Sequence, residues 1–166
     1  MRNFKPILII AGDPKSIFLE IYFKSLKNNR FKSPLILIVN EDILLKQMKA
    51  LKYNFKINKL SSKNLNYKNL NNKKINILNV PFDRKFLSKY IYRSFEKALL
   101  LINKDKNINL INGPINKKKI LKKNFLGVTE YLDFKTKSKN KAVMLIYNKN
   151  LSVSPLTTHI PLKDVH

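Results

Sequence analysis

Cysteine is absent from the 166 residues, which excludes disulfides, a thiolate nucleophile and any cysteine metal site. Tryptophan is absent as well. Glycine occurs three times, at Gly12, Gly113 and Gly127, so neither a G-x-G-x-x-G nor a G-x-x-x-x-G-K-[ST] phosphate loop is present. Histidine occurs twice, at His159 and His166. Neither belongs to a His-x-x-x-His pair. A single imidazole is no metal site, because a catalytic zinc usually takes three protein ligands. No apolar run approaches the ~20 residues needed to span a bilayer. The opening MRNFKPILIIAGDPKS has a short apolar run, no small-residue cleavage site and a turn at its end. It reads as a first strand rather than a signal peptide, and a cytoplasmic location is expected.

Positive charge is what the chain has in excess. Thirty-four Lys and Arg face ten Asp and Glu, for a formal net charge of +24. Such a balance raises the question of nucleic acid or an anionic membrane. The distribution argues otherwise. Lysines are scattered through every segment, and Arg, the residue suited to bidentate phosphate or guanine contacts, occurs only at Arg2, Arg30, Arg84 and Arg93. Lys, Asn and Ile are abundant together, as AT-rich coding would produce on a solvated surface. No specific nucleic-acid partner and no membrane partner are expected, only non-specific attraction to polyanions at low salt.

Short apolar runs alternate with amphipathic stretches. Strands are expected at 6–11, 34–39, 75–80 (a weak one) and 108–112. Helices are expected from a Ser16 cap to Lys27, over 41–51, and from an Asp83 cap over 84–103. In the last of these, Phe86, Leu87, Tyr90, Ile91, Ser94, Phe95, Ala98 and Leu101 form a wide buried stripe. Residues 56–74, rich in Asn, Lys and Ser, read as loop with short strand pieces. Strands at 142–147 and 151–155 flank Asn148-Lys149-Asn150 as a hairpin. The alternation predicts a layered α/β fold with a mostly parallel or mixed sheet.

In open α/β sheets ligands bind beyond the carboxyl ends of the strands. Asp13, Asn112–Asn116 and Thr157–His159 each follow an expected strand. If those strands are parallel neighbours, one edge gathers a carboxylate, a Gly-Pro turn, two hydroxyls and an imidazole, a set suited to a small polar substrate. Each glycine marks either a backbone position that needs φ > 0 or close approach, or merely a tight turn. His159 is the best single candidate for acid–base or ligand chemistry, against the plainer reading of a structural histidine. His166 has no visible role.

The ordered segments AGDP (11–14), NGPINK (112–117), FLGVTEYL (125–132), AVMLIY (142–147) and TTHIPLKDV (157–165) resemble the 4-hydroxythreonine-4-phosphate dehydrogenase family of vitamin B6 synthesis. The resemblance spans the whole chain but only the N-terminal part of the family. It implies a three-layer α/β/α fold like that of isocitrate and isopropylmalate dehydrogenases, and a homodimer. It implies NAD-dependent oxidation of 4-phosphooxy-L-threonine, with decarboxylation to 3-amino-2-oxopropyl phosphate, assisted by a divalent metal (Zn, Mg or Co) held by three histidines. By this resemblance His159 is a metal ligand and Thr129 contacts the substrate. Asn112, Gly113 and Lys117 fall in the substrate-side loop.

The chain departs from the family pattern in two motifs. Val128 replaces the family's histidine in the substrate-binding segment and cannot hydrogen-bond. Residues 15–20, Lys-Ser-Ile-Phe-Leu-Glu, replace the glycines that follow Gly-Asp-Pro. Residues 1–166 are expected to form a single N-terminal lobe, with the other metal ligands and the NAD-binding part absent, so that the chain alone is inactive. The alternatives are a non-catalytic truncated remnant or a partner-binding half, and, less favoured, a basic RNA-binding module.

Overall fold

A computed structural model describes residues 4–62, 65–67, 70–121, 125, 127–137, 142–155 and 162–164. The chain divides into two compact units, Met1–Ile120 and Leu121–His166. The first unit contains β1 (Ile7–Ile10), α1 (Phe18–Asn28), β2 (Leu35–Val39), α2 (Glu41–Ala50), β3 (Ile57–Lys59) and β4 (Ile75–Asn79). It continues with a 3₁₀ turn (Arg84–Phe86), α3 (Leu87–Lys104), β5 (Asn109–Asn112) and α4 (Lys117–Ile120).

The five strands pair in the order β3-β4-β2-β1-β5, and every pairing is parallel. Both faces of such a sheet must be covered, which is why β1 and β2 read as unbroken apolar runs. Side chains alternate across the sheet. Ile9, Leu37 and Ile77 pack with Leu19, Tyr22 and Phe23 of α1 and with Leu44 and Met48 of α2. The intervening Leu8, Ile10, Ile36, Ile38 and Leu78 are buried on the other face, where α3 lies against β1 and β2. The result is the layered α/β fold expected from the alternation, in the three-layer α/β/α form that the family resemblance implies. The run 75–80, weak as a sequence signal, is an interior strand lying between β3 and β2.

Asn76 explains that weakness. It is a polar residue on β4 with 1% exposure, yet its amide is well satisfied. Its Nδ2 donates to the Leu35 and Asn71 carbonyls at 3.1 and 3.0 Å, and its Oδ1 accepts from Asn58 Nδ2 at 2.9 Å. Removing one partner from a buried polar set strands the others. Asn76→Ala is therefore expected to cost about 2 kcal/mol, a drop of roughly 4–8 °C in melting temperature. Thermal denaturation followed by circular dichroism checks this, and a shift under about 1 °C would refute it.

The helix starts differ in detail from expectation. Ser16 stands two residues before α1. Its Oγ accepts a long 3.4 Å bond from the Phe18 N–H, while Ile17, the capping residue, makes no side-chain cap. Asp83 does cap, but it caps the 3₁₀ turn, accepting from the Lys85 N–H at 2.8 Å. That turn rotates Phe86 outward, to 57% exposure, and so removes it from the expected buried stripe. Tyr90, Ile91, Ser94, Phe95, Ala98 and Leu101 are buried as expected.

The second unit contains α5 (Val128–Thr136), β6 (Ile146–Tyr147), β7 (Ser152–Val153) and a 3₁₀ turn (Leu162–Asp164). Strands β6 and β7 pair antiparallel, giving the expected hairpin in shorter form. Phe125 packs edge-on against Tyr131 of α5, with ring centroids 5.4 Å apart.

Candidate functional site

All five strands of the first unit end on the same edge. The chain leaves β1 toward β2 by α1 and leaves β4 toward β5 by α3, on the opposite face. The order therefore reverses between β1 and β5, the kind of position beyond which open α/β sheets bind ligands. Gly12 and Gly113 meet there. Gly12 has φ +76°, a left-handed conformation that glycine adopts without steric cost. A Cβ on Gly12 would strike the Pro114 carbonyl oxygen, and a Cβ on Gly113 would strike the Ala11 carbonyl oxygen. Close backbone approach, rather than a merely tight turn, is thus what these two positions require.

Hydrogen bonds lock the approach. The Gly113 N–H donates to the Ile10 carbonyl at 2.7 Å, and the Asp13 N–H donates to the Pro114 carbonyl at 2.8 Å. Asp13 Oδ1 accepts from the Lys15 N–H at 2.9 Å, and the Asp13 carbonyl accepts from the Ser16 N–H at 2.9 Å. Asn112, at the end of β5, is exposed, as is Lys117, the first residue of α4. The edge therefore presents a carboxylate, an amide and an ammonium group on a rigid backbone.

Asn40, at the end of β2, stiffens the neighbouring part of this edge. Its Oδ1 accepts from the Ile43 N–H at 3.2 Å and caps α2, whose first turn carries Glu41 and Asp42. Its Nδ2 donates to the Val80 carbonyl at 3.1 Å, and its backbone N–H donates to the Tyr90 hydroxyl at 3.3 Å. Burial pushes the Tyr90 phenol up to about 12, opposed in part by that N–H donor. Tyr90 therefore stays neutral across the physiological range. Sequence reading missed this network. An Asn just after an apolar run is a visible cap signal, but its partners lie 40 and 50 residues away.

A cleft of about 710 Å³ opens on the same edge, between the loop after β1, the helix α2 and the start of α3. Asp13, Lys15, Lys46 and Arg84 line it, with Ile43, Phe82 and Leu87. Nothing in the local sequence joins Lys15, Lys46 and Arg84; the parallel topology brings them together.

In the second unit, Val128 and Thr129 open α5 and are half-buried. Gly127 precedes them in extended conformation, and no side chain caps the helix start. The expectation that Thr157–His159 shares the edge with Asp13 and Asn112 required a parallel strand ahead of it. The strand that precedes it, β7, belongs to the antiparallel hairpin, and His159 itself lies outside the described residues. Among the described residues no three His, Cys, Asp or Glu side chains converge as a metal site would need. No described helix is long and apolar enough to cross a membrane.

Comparison with known proteins agrees with this architecture. Residues 30–166 match the family model of the pyridoxal phosphate biosynthetic protein PdxA. The 4-hydroxythreonine-4-phosphate dehydrogenase of Wigglesworthia glossinidia brevipalpis is 28% identical, over 99% of this chain and 52% of its own length. The protein of the same name from Aquifex aeolicus is 32% identical, over 97% of this chain and 52% of its own. The chain thus spans about half the length of the relatives it matches. Crystal structures of 4-hydroxythreonine-4-phosphate dehydrogenases from Klebsiella pneumoniae and Burkholderia phymatum superpose with TM-scores of 0.77 and 0.74. They are 21% and 19% identical, covering 96% and 98% of this chain and 52% of each of theirs, a likeness that shows the fold. On its sequence match and its α/β fold, this chain belongs to the family of the pyridoxal phosphate biosynthetic protein PdxA.

Proposed function

We propose that these 166 residues form one lobe of an NAD-dependent dehydrogenase acting on a phosphorylated hydroxy-amino acid, 4-phosphooxy-L-threonine, in pyridoxal phosphate synthesis. The product of oxidation and decarboxylation is 3-amino-2-oxopropyl phosphate. The observation that carries this reading is the close β1–β5 approach built on Gly12 and Gly113 at the strand-order reversal, in a chain that belongs to this family.

The roles follow from the chemistry of the side chains. Lys117 supplies a cation, and Asn112 an amide, for the carboxylate or phosphate oxygens of the substrate. Gly113 keeps the loop close to β1 so that these groups are presented at a fixed height. Thr129 offers a hydroxyl to a substrate oxygen, and Val128 makes only apolar contact. His159 offers one imidazole nitrogen to a divalent cation, whose chemistry when bound is to polarise the substrate hydroxyl. Among the described residues no three His, Cys, Asp or Glu converge, and this reading takes the other metal ligands and the nicotinamide-binding part from the half of the family's length that this chain does not span.

A homodimer is part of the same proposal. In the β6–β7 hairpin and its approaches, Val143, Leu145, Ile146, Tyr147, Leu151 and Val153 are 48–78% exposed. Apolar side chains grouped in this way call for a cover, and a two-stranded ribbon is marginal without one. A specific observation favours a second reading, a non-catalytic or partner-binding half: Val128 removes a hydrogen-bonding group from the substrate segment.

The test uses the longest native product containing these residues, assayed for NADH formation from NAD and 4-phosphooxy-L-threonine with and without divalent metal. Metal-dependent turnover is expected. A folded product that binds neither substrate nor NAD would overturn the dehydrogenase reading in favour of the second.

A further inference from the structure

The cleft between the β1 loop, α2 and the start of α3 has no part in the chemistry proposed above. Its rim carries Lys15, Lys46 and Arg84, all exposed, against the single carboxylate of Asp13. Its wall carries Ile43, Phe82 and Leu87, all half-buried. Phe82 packs edge-to-face with Tyr90, with centroids 5.3 Å apart and planes at 82°, a contact that favours its present position in the wall. The ion pairs seen among the described residues, Glu20 with Lys24 and Glu41 with Lys59, involve none of the three rim cations. At about 710 Å³ the opening lies within the range of small-molecule sites, roughly 300–1,000 Å³.

We propose that this cleft binds a phosphomonoester with a planar apolar body. Lys46 and Arg84 take the phosphate, and the body lies on Phe82 and Leu87. Several features combine to favour this ligand. The cleft lining carries three cations against one carboxylate, with Asp42 and Asp83 beside Lys46 and Arg84 in the adjoining opening, and the guanidinium fork of Arg84 suits phosphate oxygens. The apolar wall favours a ligand larger than inorganic phosphate. The Phe82 ring in the wall suits stacking against a planar body. The cations come from the β1 loop, α2 and the turn before α3, so the site exists only in the folded first unit.

The competing explanation is simple attraction of any anion to a chain of net charge +24. The experiment separates the two by titrating the full chain with phenyl phosphate, inorganic phosphate and benzoate, using calorimetry at about 0.15 M salt, where exposed charges are screened beyond ~8 Å. Phenyl phosphate is expected to bind at least about tenfold tighter than either of the others, since it alone uses both the cations and the wall. Lys46→Ala and Arg84→Ala should each weaken it by about tenfold or more, as loss of a charge-assisted bond implies. Lys104→Ala, on the last turn of α3, should leave it unchanged. Equal weakening by Lys104→Ala, or equal affinity for phenyl and inorganic phosphate, would overturn the proposal. The readout is binding, not turnover, so it stands or falls separately from the dehydrogenase reading.

Discussion

The Gly113→Val variant is expected to lose about 4 kcal/mol of stability and on the order of 10 °C in melting temperature. The new Cβ would sit against the Ala11 carbonyl oxygen, in backbone rather than in a flexible side chain. Backbone there cannot give way easily. Ile10 and Ala11 are buried at 0% and 4% exposure, and β1 is paired on both sides, to β2 and to β5. Relief of the clash means parting β5 from β1. That breaks the bond from the Gly113 N–H to Ile10 and strains the one from Asp13 to Pro114. Overpacking typically costs about 1–3 kcal/mol, and each lost bond adds about 1 kcal/mol. Gly12→Ala should act in the same direction, because it adds a left-handed backbone penalty of about 1–2 kcal/mol to a clash with the Pro114 carbonyl. Chemical denaturation of both variants decides the matter. Native-like midpoints in both would mean that the β1–β5 approach is not a constraint, and the proposed site would lose its basis.

A second large effect is expected from His159→Ala in the longest native product: a fall in turnover of about 10²-fold or more, with the melting temperature nearly unchanged. If its imidazole serves as a ligand, alanine removes the ring-nitrogen lone pair, and no residue flanking it in sequence carries an imidazole. The flanking residues are Thr157, Thr158, Ile160 and Pro161, and the only other histidine is His166. If His159 were instead a structural histidine, the same substitution would lower stability and leave turnover per folded molecule intact. Measuring both quantities on one preparation distinguishes the two. Turnover within about threefold of the parent, at any metal concentration, would remove His159 from the proposed site.

Much of the fold was legible because its cause is local. PILIIA and PLILIV are too apolar and too short to be anything but buried strands, and the spacing of Tyr90, Ile91, Phe95 and Ala98 fixes one face of a helix. The β4 strand was harder to read because Asn76 and Asn79 interrupt it. Their partners, Leu35, Asn71, Asn58 and the Glu41 N–H, are brought near only by the fold. The outward turn of Phe86 was hidden for a similar reason. A 3₁₀ turn and the first turn of an α-helix carry the same residue types but aim the side chain differently.

The candidate site divides along the same line. Residue reading by itself named Gly12, Asp13, Asn112, Gly113 and His159, whereas Lys117, Val128 and Thr129 were named only through the family resemblance. That Gly12 and Gly113 touch could not be read, because they are separated by the whole sheet-building segment and meet only once β5 pairs with β1. Sequence by itself determined the alternation of apolar runs and amphipathic helices, hence the α/β class and the motifs that mark the family. Tertiary structure alone decided strand order, and with it the reversal between β1 and β5. It also decided which lysines, among so many, stand together beside Arg84. The reason is physical. Periodicity sets which face of an element is apolar, but the neighbours of that face are chosen by packing between segments far apart in the chain.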